Sequence, residues 1–188
     1  MMMIMLALLV VCSAQSPAQE LRREGKYYVT EITRSFKTQA TGQVRLRRVR
    51  GDVDVQAWAK PEVFIKLALR FDVYTEGEAK RALEEMNSSF TQTGDLIEVS
   101  GASSRDWIDS RFTINAPGGF RLDVSTEGGD ISIREMKSEI KLNTSGGDID
   151  LMTVGGPVRA ITSGGDIIVR SSSGEVDLKT SGGDLTLE

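Results

Sequence analysis

The chain has 188 residues, a net charge of −4 at neutral pH, 27% charged residues and only 6% aromatic ones. That length suits one ordinary domain, and the mixed charge gives no electrostatic case for nucleic acid as a partner. There is no histidine and one cysteine, which removes Ser-His-Asp and Cys-His nucleophilic sites, imidazole zinc sites and the commonest general base.

Met1 to Ala14 reads MMMIMLALLVVCSA, an apolar run followed by small residues. This is the pattern of a secretory signal with cleavage after Ala14 or Ala18, so residues 1–18 are expected to be a signal peptide. No basic residue precedes the run, and it is shorter than the roughly 20 residues of a transmembrane helix. A buried N-terminal strand or helix is the competing reading. Cys12 leaves a lipoprotein signal open, although Leu9-Val10-Val11 places no small residue before it. Cleavage at either alanine leaves a mature chain without disulfide or thiolate chemistry. The expected location is exported: periplasmic, cell-surface or secreted, with a lipid anchor as a variant.

Residues 19–35 read as a polar leader and first strand, and 36–188 as one β-strand-repeat domain. Gly42-Gln-Val-Arg-Leu and Gly51-Asp-Val-Asp-Val are nine residues apart and look like degenerate half-repeats, with Val44/Leu46 and Val53/Val55 pointing inward. From Pro61 a longer strand alternates Val63, Ile65, Leu67, Leu69 and Phe71 on one face. Glu76 to Met86 carries Ala79, Ala82, Leu83 and Met86 at helical spacing, a short amphipathic helix covering the sheet or an end of the fold. Leu96 to Val99 is a strand, Ser103 to Ser110 a polar loop carrying Trp107, and Ala116-Pro117-Gly118-Gly119 a turn.

Regular repeats fill 120–188. Gly-Gly-Asp recurs at Gly128-Gly129-Asp130, Gly146-Gly147-Asp148, Gly164-Gly165-Asp166 and Gly182-Gly183-Asp184, a period of 18 residues. Each corner is followed by an alternating strand: Ile131/Ile133, Ile149/Leu151, Ile167/Val169, Leu185/Leu187. A second strand occupies the other half: Leu122/Val124, Ile140/Leu142, Val158/Ala160, Val176/Leu178. Stacked about 4.8 Å apart, such units bury ladders that no single unit could bury alone. The expected fold class is all-β, a β-solenoid of the parallel β-helix type with 18-residue turns, an irregular N-terminal β-region and one short helix. The glycines are turn residues, and Thr126, Thr144, Thr162 and Thr180 form a ladder whose hydroxyls can satisfy turn backbone. The second corner is looser: Lys137-Ser138, Gly155-Gly156-Pro157 and Ser173-Gly174.

This layout resembles a bacterial family of β-strand-repeat domains of unknown function, the putative adhesins. The resemblance covers roughly 36–188. It rests on Val53-Asp54-Val55 after Gly51-Asp52, on the strand–Pro–Gly step from Phe112 to Gly119, and on the serial Thr-Ser-Gly-Gly-Asp-Ile units. It implies an exported or envelope-associated β-solenoid with no known catalytic residues.

The chemistry read from the residues is sparse. Asp130, Asp148, Asp166 and Asp184 form a row of like charges that backbone hydrogen bonds, solvent or a calcium ladder must offset. Calcium-binding nonapeptides repeat twice as often and carry two further residues before the aspartate, so the structural turn is favoured over metal. Outward columns are Asp123/Lys141/Arg159/Asp177, Ser132/Asp150/Ile168/Thr186 and Arg134/Met152/Arg170/Glu188, with Ile161, Ile168 and Met152 as a small apolar patch. No residue is assigned a catalytic role and no cofactor is expected. The expected function is a non-catalytic surface protein, adhesin-like or scaffolding. Its partner is an unknown envelope protein or surface polysaccharide. Alternatives are an envelope-stress or regulatory accessory protein with a membrane-associated partner, and self-assembly through an open C-terminal edge at Gly183 to Glu188. A carbohydrate-active enzyme is disfavoured, because its carboxylates must converge and these recur by repeat.

Overall fold

The computed structural model describes residues 20–101 and 106–188. The signal-like segment, its cleavage positions and Cys12 lie outside the described residues. The described residues form sixteen strands: β1 (Arg22–Glu24), β2 (Tyr27–Lys37), β3 (Thr41–Val49), β4 (Asp52–Trp58), β5 (Glu62–Phe71), β6 (Phe90–Thr93), β7 (Leu96–Ser100), β8 (Ile108–Pro117), β9 (Gly119–Thr126), β10 (Ile131–Arg134), β11 (Ile140–Thr144), β12 (Ile149–Val154), β13 (Val158–Thr162), β14 (Ile167–Ser172), β15 (Val176–Lys179) and β16 (Leu185–Leu187). Among the described residues there is one helix, α1 (Glu76–Ser88), between β5 and β6.

The repeats set the register. β10, β12, β14 and β16 pair in parallel, Ile131 with Ile149, Ile149 with Ile167 and Ile167 with Leu185. β9, β11, β13 and β15 do the same in a second sheet, Leu122 with Ile140, Ile140 with Val158 and Val158 with Val176. Alternation sends one set of side chains between the sheets. Ile131, Ile133, Ile140, Ile149, Leu151, Ala160, Ile167 and Val169 are all essentially inaccessible. A fully buried Val, Leu or Ile contributes about 1.5–3 kcal/mol relative to exposure, so these ladders dominate the stability of this half. At the last strand the ladder opens, with Leu185 50% and Leu187 65% exposed.

The degenerate half-repeats continue the same ladders. Val44 and Leu46 of β3 sit beside Leu122 and Val124, and Val53 and Val55 of β4 beside Ile131 and Ile133. Between them in sequence lies an insertion, β5 to β8, which passes to the far side of β3 and β4. There β7 pairs with β3 and β8 with β4, both in parallel. The insertion also brings antiparallel pairs, with β5 between β2 and β8 and β6 edging β7, while β1 edges β2 at the N-terminal side. The molecule is therefore all-β, in two mixed sheets of nine and seven strands. It departs from an all-parallel stack because the inserted strands return as hairpin-type partners, and neither sheet closes into a barrel.

The helix occupies the place its apolar face requires. Thr75 caps it in a reciprocal box with Glu78, and Ala79, Ala82, Leu83 and Met86 are buried in the common core. It extends two residues past Met86 to Ser88. No helix among the described residues is long and apolar enough to cross a membrane. The alternating residues of β5 (Val63, Ile65, Leu67, Leu69, Phe71) are buried as a set.

Candidate functional site

The Gly-Gly-Asp corner is a repeating hydrogen-bond circuit. Thr144 Oγ1 donates to the Gly129 carbonyl of the preceding rung at 3.2 Å and accepts from Gly147 N–H of its own rung at 3.3 Å. Thr162 does the same with Gly147 and Gly165, at 3.0 and 3.2 Å, and Thr180 with Gly165 and Gly183, at 2.9 and 3.1 Å. Each aspartate carboxylate accepts from the next aspartate's N–H: Asp130 from Asp148 at 2.9 Å, Asp148 from Asp166 at 2.8 Å and Asp166 from Asp184 at 2.8 Å. Asp52 begins the row by accepting from Asp130 N–H at 3.2 Å. One oxygen of each inner carboxylate is thus committed to the backbone of the next rung. Among the described residues no group of three or more Cys, Asp or Glu side chains is arranged to hold a metal ion.

The two glycines of each pair have different roles. A Cβ on Gly147 would lie 1.9 Å from the Gly129 carbonyl oxygen, and one on Gly165 would lie 2.1 Å from that of Gly147. A Cβ on Gly128 or Gly146 would meet nothing within 4 Å. The second glycine is therefore required by the close approach of rungs, and the first by nothing in its surroundings.

The outward faces carry the expected cross-strand charges. Arg45 reaches Asp123 at 3.2 Å and Glu98 at 3.3 Å, Arg159 reaches Asp177 at 2.9 Å, and Arg170 reaches Asp150 at 2.7 Å. Lys141, at 2.8 Å, holds the Glu139 carboxyl below its ordinary value by hydrogen bonding and charge. The apolar patch expected from Ile161, Ile168 and Met152 is corrected. Ile161 is on β13 and the other two on β14 and β12, in different sheets, so they face opposite sides of the molecule.

The second corner, the looser one in sequence, forms an open groove of about 1020 Å³. Along the stacking direction it is lined by Ala57 and Trp58, then Glu135 and Lys137, then Thr153 and Gly155, then Ser171 and Ser173. Its floor includes Val154, which is buried. Trp58 closes one end, its indole N–H donating to the Glu62 carbonyl at 2.8 Å and Lys60 lying 4.7 Å from its ring centre. Glu135, Thr153 and Ser171 form one 18-residue column, and all three have positive φ, 62°, 57° and 60°. Glu135 accepts from Gln56 Nε2 at 2.7 Å, whereas Thr153 and Ser171 are exposed residues whose hydroxyls have no hydrogen-bond partner among the described residues. Sequence reasoning passed over this groove. Its only trace there is a polar, non-glycine column at the end of each repeat's first strand.

No family model and no curated protein matches the sequence. Solved structures do match in shape. A "putative cell adhesion protein" from Clostridium sporogenes superposes with a TM-score of 0.55 at 10% identity, covering 85% of this chain and 98% of that one. A "putative adhesin" from Bacteroides fragilis gives 0.36 at 11% identity over 84% and 97% of the two chains. A "putative lipid binding protein" from Parabacteroides distasonis gives 0.29 at 10% over 84% and 97%. The first similarity establishes a shared fold; the other two are too distant in shape to add to it.

Proposed function

We propose that this chain is a non-catalytic protein of the cell envelope or cell surface, adhesin-like or scaffolding, presenting a long rigid face to a partner. The observation that carries this reading is the allocation of its polar groups. The Thr and Asp of each repeat are spent on neighbouring rungs, and the carboxylates run in rows along the stack. Acid–base cleavage of a glycan needs two carboxylates facing each other across a bond, an arrangement that rows on one corner do not supply. The 18-residue units are read as successive coils of β-solenoid type, each resting on the last, and the in-register pairing of Ile131, Ile149 and Ile167 supports it. The signal-like residues 1–18 support export, and the name of the Clostridium protein that shares the fold points the same way.

The test is adherence of the purified, fluorescently labelled chain to intact cells and to envelope fractions. Saturable binding to surfaces supports the reading. Capture of one stoichiometric membrane-associated protein replaces it with the accessory role, and turnover of any polysaccharide overturns it.

A further inference from the structure

We propose that the groove at the second corner binds a linear glycan, laid along the stacking direction from Trp58 toward Ser171 and Ser173. The inference rests on the surface-binding reading above and names its ligand class.

Three observations carry it. The first is conformational. Glu135, Thr153 and Ser171 hold the left-handed conformation in three consecutive rungs, which strains any residue but glycine and strains a β-branched threonine most. Glycine adopts this conformation without that cost, so a less strained solution than the one carried here exists. Strained residues of this kind cluster at ligand sites. What Thr153 and Ser171 present on the groove wall is a pair of hydroxyls with no partner among the described residues.

The second is the direction of the groove. It crosses the strands, and the corner backbone beneath it is already paired: Lys137 N–H with the Gly118 carbonyl, Gly155 N–H with Met136 and Ser173 N–H with Val154, at 2.7 to 3.0 Å. A peptide laid here gains no main-chain ladder. The occupant must bond through its own hydroxyls to side chains and set C–H surfaces against Val154, Ala57 and the indole of Trp58. A polyhydroxylated ring polymer has both kinds of surface.

The third is spacing. Three rung steps span roughly 14 Å at about 4.8 Å each, close to the rise of one sugar ring per rung in an extended chain. Lys137, which has no ion pair among the described residues, gives the groove a cation for an acidic sugar.

The experiment is calorimetric titration of the purified chain with cellohexaose, chitohexaose and hexagalacturonic acid, beside a Thr153→Gly, Ser171→Gly variant. At least one hexasaccharide is expected to bind the parent. The variant is expected to bind it about tenfold more weakly while melting roughly 2–4 °C higher, since strain is relieved. A purely structural role for these side chains cannot produce that opposition. Binding of none of the three, or equal binding by parent and variant, overturns the proposal. Adherence to cells separates the two readings. Cells that bind parent and variant alike leave a surface protein with the glycan groove refuted, and so do cells that lose binding after protease treatment. Cells that bind neither remove both readings.

Discussion

The close stacking of Gly147 on Gly129 allows a paired test in which adjacent glycines give opposite results. Gly147→Ala places a methyl 1.9 Å from the Gly129 carbonyl oxygen and 2.2 Å from its carbon. Both are backbone atoms, so no side chain can swing aside, and the rungs must part by more than an ångström. The Gly129 carbonyl accepts from Thr144 at 3.2 Å, and Ile131 N–H donates to the Asp148 carbonyl at 2.8 Å. Parting the rungs breaks at least one of these. Overpacking costs about 1–3 kcal/mol and an unmet buried polar group about 1–3 kcal/mol more, giving about 2–6 kcal/mol. Gly146→Ala meets nothing within 4 Å and does not change a positive φ. It gains about 0.4–1 kcal/mol by restricting the unfolded chain. Urea denaturation at unchanged slope reads both. If the two variants fall within about 0.5 kcal/mol of each other, a difference at the level of surface substitutions, the argument from rung contact is wrong.

Other outcomes follow from the same circuits. Thr162→Val keeps the shape but leaves the Gly147 carbonyl and Gly165 N–H without their partner, so it is expected to cost about 1–3 kcal/mol in denaturant midpoint analysis. Asp148→Asn keeps an acceptor for Asp166 N–H. Its melting temperature is expected to stay near the parent's, and added calcium to move neither; a calcium-dependent rise lost in the variant would establish the metal ladder. The depressed Glu139 carboxyl favours the folded state above its unfolded value, and that support is lost as the pH falls through its lower folded value. Thermal melts of Glu139→Gln across the acid range should therefore show a slightly flatter decline than the parent.

The repeats made half of this molecule legible, because a fixed period dictates register: once Ile131 pairs with Ile149, every later rung is set. Val44, Leu46, Val53 and Val55 were legible as inward residues for the same reason. Their neighbours were not all legible. Val53 pairs with Ile131 on one side and with Phe112 on the other, and alternation marks which face a residue takes without naming the strand beside it. The placement of β7 and β8 beyond β3 and β4 is a long-range choice among equally alternating strands. Ile161 and Ile168 show the same limit at the surface, being outward in their own strands but in opposite sheets. The groove depends on the sign of φ at Glu135, Thr153 and Ser171, which polar residues do not announce.

The two corners of the repeat use their side chains differently. At the Gly-Gly-Asp corner each inner Thr, Asp and second Gly is satisfied by the rung before or after it, so a change in one repeat is felt by its neighbours and little chemistry is left for a ligand. Variation there is costly. At the other corner the backbone pairs with itself through Gly118, Met136 and Val154, and the side chains above that backbone are free to differ from rung to rung, as Glu135, Thr153 and Ser171 do. A stack built this way can alter its groove without altering its ladder.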